Sequence, residues 1–423
     1  MRLSFFIAKP LYQGYHGFAI NFSIKVCIII QITSIPESHY HAYRLSVMFD
    51  AYKWDLQANE QSTISDKVLL MEQDEAAFLT ESAVKLYHET IAMERALHRN
   101  SDLVKNLGIS DTMATALCGC DYDPMRHVRF MRFDFHPTVD GWQISEVNSD
   151  VPAGYPEASV LPVLAQEYFP GYRQFGCFGT VLRDRLTALV PTGSTIAYLH
   201  DTHTVEDYQI LHYIGDLMEK SGYKSMYASP EHIRFDDNGK TGKVTQEPSP
   251  TQHLGGIMRY FPAEWLEFTP GVDWIGFVNS QTPSCNHPIA LLTQSKRLPL
   301  VWDKLGAGIP TWKKLLPETV DPSQLTDSHD WIMKPAFGRV GEGINIPGTI
   351  PPEEEQAILS AAQAEPTQWV AQKMFESLPV EGLHINVGVF VVDGSFAGFY
   401  ARISDAPKID EDASEIPILV RIY

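Results

Sequence analysis

The segment 128–150 places the strongest constraint on the fold of this chain, because it has the pattern of a charged β-hairpin. An Asp-Gly pair at 140–141 separates two runs with strand-like alternation, which is a strong short-range hairpin signal. Side chains of a strand alternate between its two faces. The pattern therefore predicts one face formed by Val128, Phe130, Arg132, Asp134 and His136 on the first strand and by Trp142, Ile144, Glu146 and Asn148 on the second.

The register of this predicted hairpin decides which charges meet. Pairing of His136 with Trp142 is the expected register. It places Arg132 opposite Glu146, with Asp134 diagonal to that pair and within side-chain reach. With the neighbouring asparagine, the face then presents two carboxylates and an amide oxygen, which are the hard donors that suit magnesium. For the hairpin alone, the alternative is a solvated face with an incidental ion pair.

Composition narrows the class of protein. With 423 residues, the chain is long enough for two or three domains with their own cores. A net charge of −19 argues against non-specific nucleic-acid binding, which needs a basic surface, and is compatible with a cationic small-molecule substrate. The five cysteines are scattered without a C-x-x-C pair, so we expect neither a structural zinc site nor a disulfide framework. Reduced thiols and a cytoplasmic location are the simplest interpretation.

The first 47 residues differ from the rest of the chain in their pattern of apolar and polar residues. Their apolar stretch Phe18–Ile32 is too short and too interrupted for a membrane span, which needs about 20 apolar residues. It also lacks a convincing cleavage site for a secretory signal. Because ordered patterning begins after Met48, we expect residues 1–47 to be an extension upstream of the folded protein.

Downstream of this extension, the chain alternates between helical and strand-like patterns. Residues 66–106 are predicted to be mostly helical from the spacing of their apolar residues. A strand at 195–200, a helix at 205–221 and a strand at 225–228 predict a small Rossmann-like unit. No G-x-G-x-x-G motif follows its first strand, so a dinucleotide is not expected there.

A second group of charged residues surrounds Lys334, which ends a predicted strand at 331–334. A lysine at a strand end can meet a nucleotide phosphate as a point charge. The glycines behind it, Gly338, Gly341 and Gly343, would let backbone amides approach phosphates closely. Arg339 adds a permanently charged, planar donor. The alternative is a surface loop with ordinary basic residues.

Taken together, these patterns resemble the synthetase domain of the glutathionylspermidine synthase family, a branch of the ATP-grasp ligases. The resemblance covers about residues 55–423 and rests on motifs in the family's order. They are R-x-D at Arg132–Asp134, E-x-N-x-D at Glu146–Asp150, Lys296 before a Leu-Pro-Leu run, K-P-x-x-G-R-x-G from Lys334 to Gly341, Gln372 in a predicted strand, and Arg402 near the chain end.

This resemblance implies an α+β fold, a permuted ATP-grasp with a Rossmann-like pre-ATP-grasp portion and without the amidase domain that some members carry. The permuted order would return the hairpin to the nucleotide cleft. The expected organisation is a doubtful extension at 1–47, a helical part with the metal-binding hairpin at 48–190, the Rossmann-like portion at 191–290 and the nucleotide-binding portion at 291–423.

The resemblance also implies an ATP- and magnesium-dependent ligase that joins a carboxylate, such as a peptide, to an amine, such as a polyamine, through an acyl phosphate. No nucleic acid or membrane partner is expected. The implied roles are metal binding by Asp134, Glu146 and Asn148; nucleotide binding by Lys296, Lys334, Gly338, Gly341 and Gln372, the last near the adenine; and contact with the transferred phosphoryl group by Arg132, Arg339 and Arg402.

Two departures leave the substrates open. Family members that use spermidine carry small hydroxyl residues after the E-x-N motif, whereas Val151-Pro152-Ala153 stand there in this chain. They also carry paired acids after the first Rossmann-like strand, where the nearest acids here are Glu206 and Asp207. The alternatives are therefore a ligase that joins a different peptide or amino acid to a different amine, or a nucleotide-binding regulatory protein without turnover.

Overall fold

A computed structural model of the chain shows mixed helices and sheets packed around a central antiparallel sheet. The described residues are 28–54, 57–58, 61–62, 64–236, 241–244, 252–339 and 341–422. Most of the apolar stretch Phe18–Ile32 lies outside them. The α-helices within these ranges are Glu37–Asp50, Gln73–Leu97, Ser101–Val104, Asp111–Gly119, Leu161–Ala165, Phe178–Leu189, Val205–Glu219, Ala263–Leu266, Trp274–Asn279, Leu291–Gln294, Pro310–Leu315 and Pro352–Ala364.

The central sheet combines two parts of the chain that are far apart in sequence. Its strands, in spatial order, are Ser414–Ile416, Ser395–Ser404, His384–Val392, Phe130–Thr138 and Gly141–Asn148. All neighbours are antiparallel. The charged hairpin predicted from the sequence therefore lies directly beside the C-terminal hairpin, and side chains from both can share one face.

One face of the central sheet is covered by the long helix Gln73–Leu97. Helix residues two turns apart, such as Leu79 and Leu86, pack with sheet residues such as Phe133 and Val389 in one buried cluster. Each such side chain contributes roughly 1.5–3 kcal/mol by leaving water. This apolar face fixes the sheet, so the charged residues that alternate with it point to the opposite face.

The register of the first hairpin differs from the expected one. The observed pairs are Arg132 with Asn148, Asp134 with Glu146, Phe135 with Ile144, and His136 with Gln143. The expectation that His136 faces Trp142 and Arg132 faces Glu146 was therefore wrong. There are two physical reasons. The tight turn pairs Thr138 with Gly141, which shifts the register by one residue from the expected one. A β-bulge then shifts it by one more, because Ser145 is an extra residue without a partner on the opposite strand.

The same bulge changes which side chains share a face. Trp142 and Ile144 pack with Phe135 in the apolar cluster, whereas Glu146 pairs with Asp134 on the other face. The expectation of one common face for Trp142, Ile144 and Glu146 was wrong. Strict alternation assumes that every residue is paired, and one unpaired residue reverses the assignment on one side of it.

The Rossmann-like unit is present as a parallel sheet. Its strands, in spatial order, are Ser284–Cys285, Gly256–Arg259, Thr195–Leu199 and Lys224–Ala228. The helix Val205–Glu219 connects two of them and packs on the sheet. Gly222 follows this helix with φ at +90°, a conformation that favours glycine, and its backbone N–H donates to the Glu219 carbonyl at the helix end.

Two further sheets flank the central one. An antiparallel sheet carries the predicted lysine, with the strands Thr319–Val320, Trp369–Lys373 and Trp331–Pro335 in spatial order. The other contains Ile30–Ser34, Lys67–Met71, Ile418–Arg421 and Tyr172–Arg173. Short strands at Ile233–Phe235, Gly242–Val244 and Gln252–His253, and at Gln57–Ala58 and Gln61–Ser62, complete the sheets of the described residues.

The structure differs from two expectations near the N-terminus. Lys67–Met71 was predicted to be helical but forms a strand, because a short buried apolar run fits either element. The expected boundary at Met48 falls inside the helix Glu37–Asp50. This helix buries Tyr43 and Val47 in a cluster with Leu419, so the described residues before Met48 pack against the C-terminal strand.

Candidate functional site

The hairpin places four polar side chains on the open face of the central sheet, and we call this set the carboxylate wall: Arg132, Asp134, Glu146 and Asn148. Arg132 donates to both carboxylate oxygens of Asp134, at 2.7 and 2.9 Å. The Asn148 amide donates to Asp134 at 3.0 Å and lies 3.4 Å from Glu146. The three oxygen-bearing residues predicted as metal ligands are thus within contact distance of one another.

Two lysines from other parts of the chain approach Glu146. The Lys296 Nζ lies 3.0 Å from a Glu146 oxygen and donates to the Gly338 carbonyl at 2.6 Å. The Lys334 Nζ comes from the neighbouring sheet and lies 3.3 Å from the carbonyl of Ser145. Residues separated by almost 200 positions therefore converge at the end of the bulged strand.

The electrostatics of this convergence follow from burial and charge. Burial alone would raise the pKa of Glu146, but Lys296 and then Lys334 lower that pKa to about 2. Burial lowers the pKa of Lys334 to about 8, partly opposed by Glu146. Burial raises the pKa of Asp134, which Arg132 opposes. Glu146 is ionised at neutral pH and carries the negative charge that the lysines surround.

Gln372 lies behind Lys334 and does not line the cavity. Its amide oxygen accepts from Lys334 Nζ at 2.7 Å, and its amide nitrogen lies 3.2 Å from the Thr319 hydroxyl. The side chain is buried between the strands that carry its two partners. Its contacts in the structure are therefore with the lysine.

The three predicted arginines reach the same cavity from three different elements. Arg132 also donates to the Ala153 carbonyl at 2.7 Å. Arg339 pairs with Glu264 at 2.5 Å, and its guanidinium lies 5.4 Å from the centre of the Trp265 ring. Arg402 donates to the carbonyl of Asp410. Each guanidinium is held by protein partners.

A cavity of about 950 Å³ contains nearly all of the predicted site. It is lined by the carboxylate wall, both lysines, the three arginines and the glycines Gly338 and Gly341. Of the predicted site residues, Gln372 is outside the lining. Gly341 has φ at +72°, and an added Cβ would lie 3.2 Å from the Ile409 carbonyl, so the loop passes close to the C-terminal segment.

The side of the cavity formed by the Rossmann-like unit is acidic. Glu206 and Asp207 begin the helix Val205–Glu219 and line the cavity together with Tyr260. Burial, followed by the charge of Glu206, raises the pKa of Asp207 to about 7. Arg339 lies near enough to oppose this rise in the pKa of Asp207, and the cavity thus combines acidic residues with the cationic ones.

The chemistry of the donors fits a hard divalent cation held partly by a phosphate ligand. Among the described residues, no group of three or more histidine, cysteine, aspartate or glutamate side chains could hold a metal alone. The carboxylate wall offers two carboxylates and an amide, and magnesium is usually held by one or two carboxylates plus substrate phosphates. Asn386 adds a buried amide oxygen that has no hydrogen-bond partner in the described part of the chain and lines the same cavity.

Several residues of the cavity were not predicted from the sequence. Lys53 precedes every motif and lines the cavity from the N-terminal segment. Asn386 contacts His136 at 3.2 Å, and the segment 374–377 forms another part of the lining. No sequence pattern marks Lys53, but the buried Asn386 interrupts an otherwise apolar strand, and this interruption was a usable signal.

The chain matches a known protein family over most of its length. The sequence profile described as "Glutathionylspermidine synthase preATP-grasp" matches residues 37–421. No curated protein matches the chain by sequence. Within the described ranges, none of the helices combines the length and apolar character needed to span a lipid bilayer.

Two solved structures resemble this one. A glutathione synthetase-like effector (GSS30) from Globodera pallida in its apo form is 11% identical, with a TM-score of 0.61 over 91% of this chain and 98% of that one. A gamma-glutamylcysteine synthetase-like protein from Methylobacillus flagellatus KT is 10% identical, with a TM-score of 0.42 over 77% and 86%. The first likeness supports the expected α+β, ATP-grasp-type fold. The profile match spans most of the sequence, and the chain belongs to the glutathionylspermidine synthase preATP-grasp family.

Proposed function

We propose that this protein is an ATP- and magnesium-dependent ligase that joins a carboxylate to an amine through an acyl phosphate. The observation that carries the proposal is the convergence of Lys296 and Lys334 on Glu146, inside one cavity with three arginines. Family membership supports a ligase of the ATP-grasp kind. The four described cysteines are free thiols, which supports the expected cytoplasmic location.

The cationic residues would bind and orient the phosphates. Lys296 and Lys334 supply two point charges, and the loop with Gly338 and Gly341 allows a close approach of the chain. We assign Gln372 to holding Lys334 in place, because its amide oxygen contacts the lysine. This assignment replaces a direct contact of Gln372 with the adenine.

The carboxylate wall would hold the metal through Asp134, Glu146 and Asn148. When bound there, magnesium would neutralise phosphate charge. Arg132, Arg339 and Arg402 would face the phosphoryl group during its transfer, with guanidinium groups already fixed by their protein partners. Catalysis in this proposal comes from positioning and electrostatics, since no protein nucleophile is required.

The amine would approach from the acidic side of the cavity. Glu206 and Asp207 suit a cationic substrate such as a polyamine. The other substrate would lie near Val151, Pro152 and Ala153, which give that part of the lining an apolar character. This surface favours a peptide or amino acid whose side chain tolerates an apolar wall, and glutathione is one candidate among several.

A screen for ADP release tests the proposal. The full chain is incubated with ATP, magnesium and a panel of short peptides and amines, and the active pair is then used with Glu146→Ala and Lys334→Ala. Both variants should lose ADP release, whereas Glu81→Ala and Lys85→Ala, in an exposed ion pair, should retain it. Full turnover in Glu146→Ala and Lys334→Ala would refute the assignment. Nucleotide binding without substrate-stimulated turnover in the wild type would support the regulatory alternative.

A further inference from the structure

We propose that Lys53 is a positioning residue that holds Arg132 in place through Glu415 and Tyr400. This role rests on the proposed function for its effect on turnover. Lys53 belongs to the N-terminal segment, whereas Glu415 and Tyr400 belong to the C-terminal part of the chain. Three successive side-chain contacts join Lys53 to the carboxylate wall.

The first contact is a buried cluster around the Lys53 ammonium. Its Nζ lies 2.5 Å from Glu157 and also donates to Glu415. All three side chains are largely buried, with Lys53 only 8% exposed. A buried lysine is costly unless it is paired, so this ammonium is tied to the two carboxylates. The cluster fixes the position of Glu415.

The second contact joins Glu415 to Tyr400. The Tyr400 hydroxyl donates to the carboxylate oxygen of Glu415 that Lys53 does not use, at 3.0 Å. Both residues lie on neighbouring strands of the central sheet, Ser395–Ser404 and Ser414–Ile416. Because the hydroxyl is at the tip of the ring, this hydrogen bond restricts the direction in which the ring lies.

The third contact joins Tyr400 to Arg132. The guanidinium carbon lies 4.6 Å from the centre of the Tyr400 ring. A buried cation over an aromatic face is attracted by the negative face of the ring. Asp134 and the Ala153 carbonyl engage three of the five N–H groups of Arg132 in the guanidinium plane. The Tyr400 ring therefore constrains the guanidinium perpendicular to that plane.

A kinetic experiment separates this role from a general effect on stability. Lys53→Met and Tyr400→Phe should each lower kcat about tenfold and leave the KM for ATP unchanged, because neither touches Lys296 or Lys334. If Lys53 acts through Tyr400, the double variant should also lose about tenfold, whereas independent effects would multiply to about a hundredfold. Lys85→Met, an exposed lysine, is the control and should keep wild-type kinetics.

A second measurement needs neither substrate nor turnover. The Nε–H signal of Arg132 in a ¹H–¹⁵N spectrum of the full chain is identified by its loss in Arg132→Lys. It should move in both Lys53→Met and Tyr400→Phe and stay in place in Lys85→Met. Tyr400→Phe keeps the ring and deletes only the hydroxyl, so it remains informative if Lys53→Met does not fold.

The outcomes distinguish the two proposals. An unmoved Arg132 signal in folded Lys53→Met or in Tyr400→Phe, or a multiplicative loss of kcat in the double variant, overturns the positioning role. If no pair of carboxylate and amine causes the wild type to release ADP, the proposed ligase function fails. The Arg132 signal alone then decides the role of Lys53.

Discussion

The amide oxygen of Gln372 lies 2.7 Å from the ammonium of Lys334, and both side chains are buried. A side chain that a sequence motif associates with the nucleotide thus contacts a neighbouring lysine. The contact orients a group that has few other partners among the described residues, because Lys334 also meets only the carbonyl of Ser145 at 3.3 Å.

Replacement of Gln372 by leucine tests this contact. We expect nucleotide affinity to fall about tenfold, since a hydrogen bond to a charged group contributes roughly 1.5–3 kcal/mol and part of that would be lost. Isothermal titration with an ATP analogue that is not hydrolysed measures the change. The control is Gln356→Leu on the exposed face of the helix Pro352–Ala364, which should bind as the wild type does. Unchanged affinity in Gln372→Leu would remove its positioning role.

Nucleotide affinity should depend on pH through Lys334. Burial lowers the pKa of Lys334 to about 8, and phosphate prefers the protonated ammonium. The affinity for the nucleotide should therefore be highest well below pH 8, where the ammonium is fully protonated. It should decline as the pH rises above 8, by up to tenfold per pH unit. Titrations at pH 7 and pH 9.5 measure the decline. Lys334→Arg stays charged over this range, so a decline of equal size in that variant would assign the effect to another group.

Gly388 should be required for the position of Arg132. A Cβ added at Gly388 would lie 2.7 Å from the Arg132 Cδ, a distance that real Cβ atoms do not show. Gly388→Ala should lower the rate of ADP release about tenfold and lower stability by roughly 1–3 kcal/mol, because the buried arginine is forced out of its hydrogen-bonded position. Gly119→Ala is the matched control, since nothing lies within 4 Å of its added Cβ. Thermal unfolding and ADP release of both variants decide the matter.

The stability of the protein should fall as the pH rises past the ordinary pKa of Glu157. Burial and the nearby Glu415 raise the pKa of Glu157 from 4.5 to about 7, although Lys53 opposes them. The folded state thus favours the neutral carboxyl, so stability is greatest below pH 4.5 for this group and declines between pH 4.5 and 7. The decline is on the order of 2–3 kcal/mol.

Thermal unfolding of Glu157→Gln between pH 4.5 and 8 checks that decline. The variant should show a flatter dependence on pH than the wild type, because its amide does not titrate. Some slope should remain, since burial and Glu206 also raise the pKa of Asp207 to about 7. Glu81→Gln, at an exposed position, should reproduce the wild-type curve. A wild-type slope in Glu157→Gln would show that the carboxyl is not responsible.

The elements with clear periodicity were predictable from the sequence. The helix Val205–Glu219 and the strand Thr195–Leu199 have clear patterns, and the structure confirms both within one or two residues at each end. Lys67–Met71 was not predictable in this way, because a run of four apolar residues fits a buried strand and a buried helix equally well. Its pairing with Ile30–Ser34 and Ile418–Arg421 decides the outcome.

The candidate site was predictable where charged residues occur in ordered motifs. Asp134, Glu146 and Lys334 were identified in this way, and the structure brings them into one cavity. The role of Lys53 was not predictable, because an isolated lysine has no local pattern and its partners Glu157 and Glu415 follow about 100 and 360 positions later. Contacts over such separations depend on the complete fold.

The unpaired Ser145 has a consequence for how this hairpin can change in length. Its carbonyl, released from the strand ladder, is the one that meets Lys334, and its hydroxyl lies 3.0 Å from His136. Deletion of Ser145 would leave Ile144 and Glu146 on opposite faces, because the two residues would then be adjacent in an evenly alternating strand. The deletion would instead remove the carbonyl that contacts Lys334 and the hydroxyl that contacts His136. The bulge thus adds a contact point for the lysine to a hairpin whose two faces would be the same without it.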